Sequence, residues 1–298
     1  MMKRFISANV SEILAMNAKE LKQSIKASEG RVILSENVAP RETTIGDITN
    51  AEIASAVGAD MILLNGVDVL KPTIAALDKT DNFVDELHRL VGLPIGVNLE
   101  PIDPDADMLE GRLEIATGRQ ATLETIQHIE KLGLDFVCFT GNPGTGVTNT
   151  AISKSVELAK EHYSGLIIAG KMHGSGVDGP VIDSASVEAF IQAGADIILA
   201  PAVGTIPGFD EAQLKEIVRI AHQNDSLVMS AIGTSQEGAD SDTIKQIAIQ
   251  NKICGVDIQH IGDAGYGGLA PVENIYAMSK AIRGERHTIS RMARSINR

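Results

Sequence analysis

Eight short β-rich runs alternate with longer helical patterns from residue 31 onward, and few folds accommodate that order. The runs are RVILSE (31–36), DMILLN (60–65), PIGVNLE (94–100), DFVCFT (135–140), GLIIAGKMH (165–173), DIILAP (196–201), SLVMSAI (226–232) and GVDIQHI (255–261). Between them, segments such as ATLETIQHIEKLG and FDEAQLKEIVRIAHQ place apolar residues three and four apart, the spacing of an amphipathic helix. Eight βα units in a chain of 298 residues match a (β/α)₈ TIM barrel in number and size. A doubly wound open sheet is the runner-up. No linker composition divides the chain, so residues 1–298 read as one domain: an N-terminal helical segment (1–30), the barrel (31–282) and a basic tail (283–298).

One motif recurs. GADMILL (58–64), GLDFVCF (133–139), GADIILA (194–200) and GVDIQHI (255–261) share Gly-x-Asp before apolar residues, always at an even-numbered strand. Glycine ends a helix by adopting positive φ, so the repeat reads as helix-to-strand turn chemistry, with duplication of a (βα)₂ unit as the other reading. Residues 11–28 form an extra amphipathic helix suited to closing the barrel bottom. The arginine-rich tail reads as a solvated helix end, or as a segment docking on the acidic surface of a neighbouring subunit in a homo-oligomer.

The formal net charge of −13 disfavours nucleic-acid binding, which relies on basic patches, but a local site can still attract an anionic small molecule. Cys138 and Cys254 are far apart and lack CxxC spacing, which fits a reducing compartment. No apolar run reaches the ~18 residues of a membrane span. These features together predict a cytoplasmic protein without membrane or nucleic-acid partners.

Three familiar motifs fail in context. GSGVDG (174–179) is a literal GxGxxG, but the nearest acid, Asp196, opens the next strand instead of ending it, where a ribose would be bound. GNPGTGVT (141–148) has Val147 where a P-loop needs its lysine. IGDAG (261–265) has no early DxDx(T/V) partner of the kind haloacid-dehalogenase-type hydrolases carry.

Barrel chemistry sits at the C-terminal strand ends. Those ends carry Glu36, Asn65, Asn98, Glu100, Asn142, Lys171, His173, His260 and Asp263. Within strands, Asn98 shares a face with Glu100, and Lys171 with His173. Lys171 follows an apolar run, so it can be a desolvated Schiff-base amine, a point charge for a carboxylate or phosphate, or a structural partner of Glu100. Glu36 or Glu100 would move a proton, with His173 or His260 as partner. Asn65, Asn98, Asn142 and Asp263 are candidate substrate contacts. Glu36, Glu100, His173, His260 and Asp263 also offer an oxygen/nitrogen set for a divalent metal, so no cofactor is certain and a metal is possible.

Loops seven and eight, GTSQEG (233–238) and GDAGYGG (262–268), are both glycine-bearing, and Pro271 suits the first turn of the next helix. Gly233, Thr234, Ser235, Gly262, Gly265, Gly267 and Gly268 are therefore the candidate phosphate cradle. With these loops and a lysine at a strand end, the sequence resembles the broad phosphate-binding (β/α)₈ superfamily, which includes ribulose-phosphate-binding barrels and class I aldolases. The strand ends lack the acidic run of a phosphoenolpyruvate-mutase-like metal site. The resemblance implies a C–C lyase or isomerase acting on a small phosphorylated sugar or keto acid. A metal-dependent barrel enzyme and a non-catalytic sensor of a phosphorylated metabolite are the alternatives.

Overall fold

In a computed structural model, which describes residues 3–263 and 268–298, eight parallel strands close into a barrel. They are β1 (Val32–Val38), β2 (Met61–Asn65), β3 (Ile95–Leu99), β4 (Phe136–Phe139), β5 (Leu166–Gly170), β6 (Ile197–Pro201), β7 (Leu227–Ile232) and β8 (Ile258–Ile261). Each pairs with its sequence neighbours, and β8 closes on β1 through Leu34 opposite His260. The TIM barrel expected from the alternation is the fold.

Side-chain alternation splits the core in two. Leu34, Met61, Phe136, Ile168, Leu199 and Met229 fill the barrel interior. Ile33, Ile62, Val97, Val137, Ile198 and Val228 face the helical layer. Gly96 makes this interior possible, because a Cβ there would fall 2.3 Å from the ring of Phe136 on the next strand.

The predicted N-terminal helix is instead two, α1 (Val10–Leu14) and α2 (Ala18–Lys26), separated where Asn17 caps the second. Asn17 accepts from the Glu20 N–H and Glu20 returns a bond to the Asn17 N–H, so the sequence restarts a helix at that point. Leu21 and Ile25 of α2 close the barrel floor.

The Gly-x-Asp repeat has a structural role beyond the turn. Each aspartate accepts a hydrogen bond from a backbone N–H of the preceding odd strand: Asp60 from Ile33, Asp135 from Ile95, Asp196 from Ile167 and Asp257 from Val228. Each also meets a cationic or protonatable side chain: Arg283, His88, Lys22 and His222 respectively. These four latches tie helices to the barrel floor with a period of two βα units.

The C-terminal tail departs from the sequence expectation of a solvated end. The last helical segment (Val272–Met292) kinks at Gly284, where φ is +71°, and its two halves bury Arg283 and Arg291 respectively against Asp60. Arg291 also stacks over Phe5, and Arg294 donates to Asn9, so the tail folds onto the chain's own N-terminal segment.

Candidate functional site

A cavity of about 420 Å³ opens at the C-terminal end of the barrel. Glu36, Asn65, Asn98, Asn142, His173, Gly233, Thr234, Ser235, Gly262 and Asp263 line it, which brings together residues expected from seven different strand ends. Gly268 packs nearby, its N-terminal neighbours Gly265 and Gly267 lying outside the described residues, and its carbonyl accepts from the Val38 N–H.

Glu36 lies on the lining, with Nε2 of the fully buried His260 3.0 Å from its Oε2. Neither ring nitrogen of His260 makes a well-directed hydrogen bond to a described residue. Burial pushes the Glu36 carboxyl above its ordinary value; Asp263 and Glu100 add to the rise and the His260 contact opposes it. A base held this way is tuned toward neutral pH.

The three asparagines form one directed network. Asn65 donates to Oδ2 of Asp263 (3.2 Å) and to Oδ1 of Asn142 (2.9 Å). A carboxylate oxygen only accepts, so Asn65 must turn its amide nitrogen to Asp263 and its carbonyl the other way. That carbonyl takes bonds from Asn142 (3.0 Å) and Asn98 (3.2 Å). Asn98 thus commits its nitrogen, and its Oδ1 is left buried without a partner among the described residues. The Thr140 hydroxyl, also on the lining, is buried and unpartnered in the same way. Such groups are costly to leave unmet and call for a ligand that donates hydrogen bonds.

Glu100 holds the wall in place. It is buried off the lining, where Oε1 accepts from Arg119 (2.6 Å) and Oε2 from the Asn142 N–H (2.9 Å). Both oxygens are occupied, which suits it to positioning Asn142.

The run GLIIAGKMH predicts a strand reaching His173, but β5 ends at Gly170, where φ is +150°. A Cβ at Gly170 would fall 1.9 Å from the Leu199 carbonyl oxygen, so only glycine allows the chain to turn there. After it the face pairing of Lys171 with His173 no longer follows strand alternation. Met172 and His173 line the cavity; Lys171 is buried but is not on the lining, and it makes no ion pair among the described residues. Burial lowers the Lys171 pKa. Nδ1 of His173 accepts from the Ser175 N–H (3.0 Å), leaving Nε2 to carry the proton. Burial first, then the charge of Lys171, lowers the His173 pKa, against a smaller opposing pull from Glu100. His173 is thereby a neutral N–H donor.

Arg41, Met172 and Glu237 also line the cavity, and polar strand ends do not point to them. Arg41 lies in the loop after β1, past the polar strand end that carries Glu36. On the loop-seven wall, Thr234 and Ser235 both hold positive φ (+58° and +67°), an arrangement that costs about 1–3 kcal/mol per residue and clusters at ligand sites. The rejected glycine motifs have a different use. The loop after β3 bonds to both of them, Leu113 N–H to the Gly144 carbonyl and Leu109 N–H to the Gly176 carbonyl, forming a cover beside the cavity.

Among the described residues no three His, Cys, Asp or Glu side chains converge to hold a metal ion. Glu36, Glu100, His173, His260 and Asp263 share the neighbourhood but not one coordination point, and Glu100 lies off the lining with each oxygen already bonded. The residues do not fit the metal centre that their types suggested. Among the described residues, no helix is long and apolar enough to cross a membrane.

The barrel with chemistry-bearing strand ends places the chain among TIM-barrel proteins. More narrowly, it belongs to the family described as Domain of unknown function (DUF7916), whose model matches residues 6–298. No curated protein matches the chain. Similar solved structures include a Burkholderia cenocepacia J2315 protein described as a lyase/mutase (17% identity, TM-score 0.50, 82% of each chain covered). Another is 2,3-dimethylmalate lyase of the PEP mutase/isocitrate lyase superfamily (11%, TM-score 0.51, covering 83% of this chain and 81% of that one). A third is oxaloacetate acetylhydrolase (14%, TM-score 0.50, 83% and 81%). At these identities the likeness is one of fold.

Proposed function

We propose that the chain is a lyase or isomerase acting on a small hydroxylated keto acid or phosphorylated sugar. The observation that carries this reading is the buried Glu36–His260 pair beside a cavity whose Asn98 Oδ1 has no donor among the described residues. Fold relatives named for lyase, mutase and acetylhydrolase activities on malate- and oxaloacetate-type acids support the class.

One substrate hydroxyl would donate to Asn98 Oδ1 and lie against Thr140, and the hydroxyl on the carbon to be cleaved away would donate to Glu36. Glu36 removes its proton, the oxygen forms a carbonyl, and the adjacent C–C bond breaks with its electron pair moving to an enolate. His173 donates its Nε2–H to the carbonyl oxygen that becomes the enolate oxygen, and Lys171 acts through His173 by keeping it neutral. The proton on Glu36 then quenches the enolate carbon, closing the cycle. Arg41 and the backbone of Gly233–Ser235 hold the anionic end, carboxylate or phosphate. No step is routed through a metal.

The test is turnover across matched 4-hydroxy-2-oxo acids and phosphorylated ketoses, with the released carbonyl fragment quantified. The expected result is fragment release by the native protein and its loss in Asn98→Leu. Tight binding of a phosphorylated metabolite with no turnover would replace the enzyme with a sensor.

A further inference from the structure

The barrel floor carries a second cavity, of about 740 Å³, remote from the strand ends. Lys19, Lys22 and Lys26 lie at spacings of three and four on one face of α2 and line it, and Lys160 completes the ring from the helix Asn149–His162. Asp196 and Asp225 answer them, with Lys26 2.8 Å from Asp225. Glu20 also lines the cavity but is committed to capping the Asn17 N–H. Lys19 and Lys160 make no ion pair or hydrogen bond among the described residues. The clustering is notable in a chain with a net charge of −13, where a local positive field must be built against the whole surface.

A second observation comes from the four floor latches. Three aspartates hold their partners closely: Asp60 to Arg283 at 2.5 Å, Asp135 to His88 at 2.7 Å and Asp257 to His222 at 2.8 Å. Lys22 stands 3.4 Å from Asp196. The lysine of this third latch along the chain is thus more loosely held than the other partners, at the edge of the cavity, while the other oxygen of Asp196 remains bound to the Ile167 N–H. Lys22 keeps a long contact to Asp196, and its ammonium also faces the cavity. The depressed Asp225 carboxyl, held low first by its bond to Lys26 and then by the fields of Lys22 and Lys19, agrees that these ammonium groups converge.

We propose that this floor cavity is a binding site for a diphosphate group, free or carried on a nucleoside, held by Lys19, Lys22, Lys26 and Lys160. A compact anion with several oxygens satisfies four point charges at once, which a single carboxylate cannot do. The volume is in the range of small-ligand sites and holds a nucleoside diphosphate as well as the bare anion. The site is independent of the chemistry at the mouth.

Titration calorimetry with inorganic pyrophosphate and, separately, ADP tests it on the full chain. Pyrophosphate binds, with affinity falling as salt rises. The Lys19→Gln/Lys160→Gln variant, altered only at exposed side chains, keeps the native melting temperature and binds roughly ten-fold or more weakly. Arg41→Ala, at the mouth, leaves this binding unchanged. ADP binding as well as pyrophosphate extends the site to nucleotides, and ADP failing to bind restricts it to the free anion; both uphold it. Absence of pyrophosphate and ADP binding overturns it, as does binding lost in Arg41→Ala but retained in Lys19→Gln/Lys160→Gln.

Discussion

Nη1 of Arg283 lies 2.5 Å from Oδ2 of Asp60, in a pair almost wholly removed from solvent and joined by Arg291 3.2 Å from the other oxygen. Arg283 also donates to the Gly58 carbonyl and to Ser279 Oγ. The C-terminal helix is therefore bolted to the first repeat of the barrel floor. Removing Arg283 leaves the buried Asp60 with Arg291 as its one remaining cation among the described residues and leaves the Gly58 carbonyl without its arginine donor, so Arg283→Met should cost about 3 kcal/mol in urea unfolding. A loss below about 1 kcal/mol would assign the arginine to the solvated class of ion pairs.

His222 and Asp257 form a latch with a pH signature. The bond to Asp257 is the main cause of a raised His222 pKa. A raised histidine value means that the folded state holds the proton more tightly than the unfolded chain. The stabilisation is full below the unfolded value of 6.5 and is lost as pH rises through the folded value. Melting temperature followed across this window should decline in the native protein, and the His222→Ala variant should lack that component of the slope. Identical slopes would dissociate the latch from stability.

Glu36 works in the opposite sense to a stabilising carboxylate. Its raised pKa means that ionisation is disfavoured in the fold, so it subtracts stability as pH climbs above 4.5 toward the folded value. Glu36→Gln should melt higher than the native chain at neutral pH and equally below pH 4.5. A variant that melts lower at neutral pH would show that contact with His260 outweighs burial.

The two left-handed residues of loop seven make a further test. Ser235→Gly relieves a positive φ at the cavity wall and should gain about 1 kcal/mol in denaturant unfolding. If the strain shapes the anion end of the site, ligand affinity falls in the same variant. Unchanged affinity would separate the strain from binding.

Much of this arrangement was legible in the sequence, for identifiable reasons. The eight strands announced themselves through apolar runs and Gly-x-Asp entries, and their polar C-terminal ends nominated Glu36, Asn65, Asn98, Asn142 and Asp263, which line one cavity. Face assignment failed at Lys171 because Gly170 turns the chain, and a left-handed glycine is invisible to period-two counting. Arg41 was missed because it lies in a loop past the strand end. The latches were half legible: the aspartates repeat locally, whereas a partner such as Arg283 lies 223 residues away and is paired only by the fold. Glu100 reads locally as a proton carrier, because nothing near it in sequence announces that Arg119 and the Asn142 N–H bond both its oxygens.

The most direct test of the account is deuterium wash-in at the carbon next to the carbonyl of the fragment released as an enolate, measured by NMR in D₂O on the native chain and on Glu36→Gln. Proton transfer by a positioned side chain contributes about 10²–10⁴-fold, so the native protein should label that fragment and the variant should slow by at least the lower figure while still binding the substrate. Equal labelling by the two proteins would remove Glu36 from the chemistry and contradict the central claim.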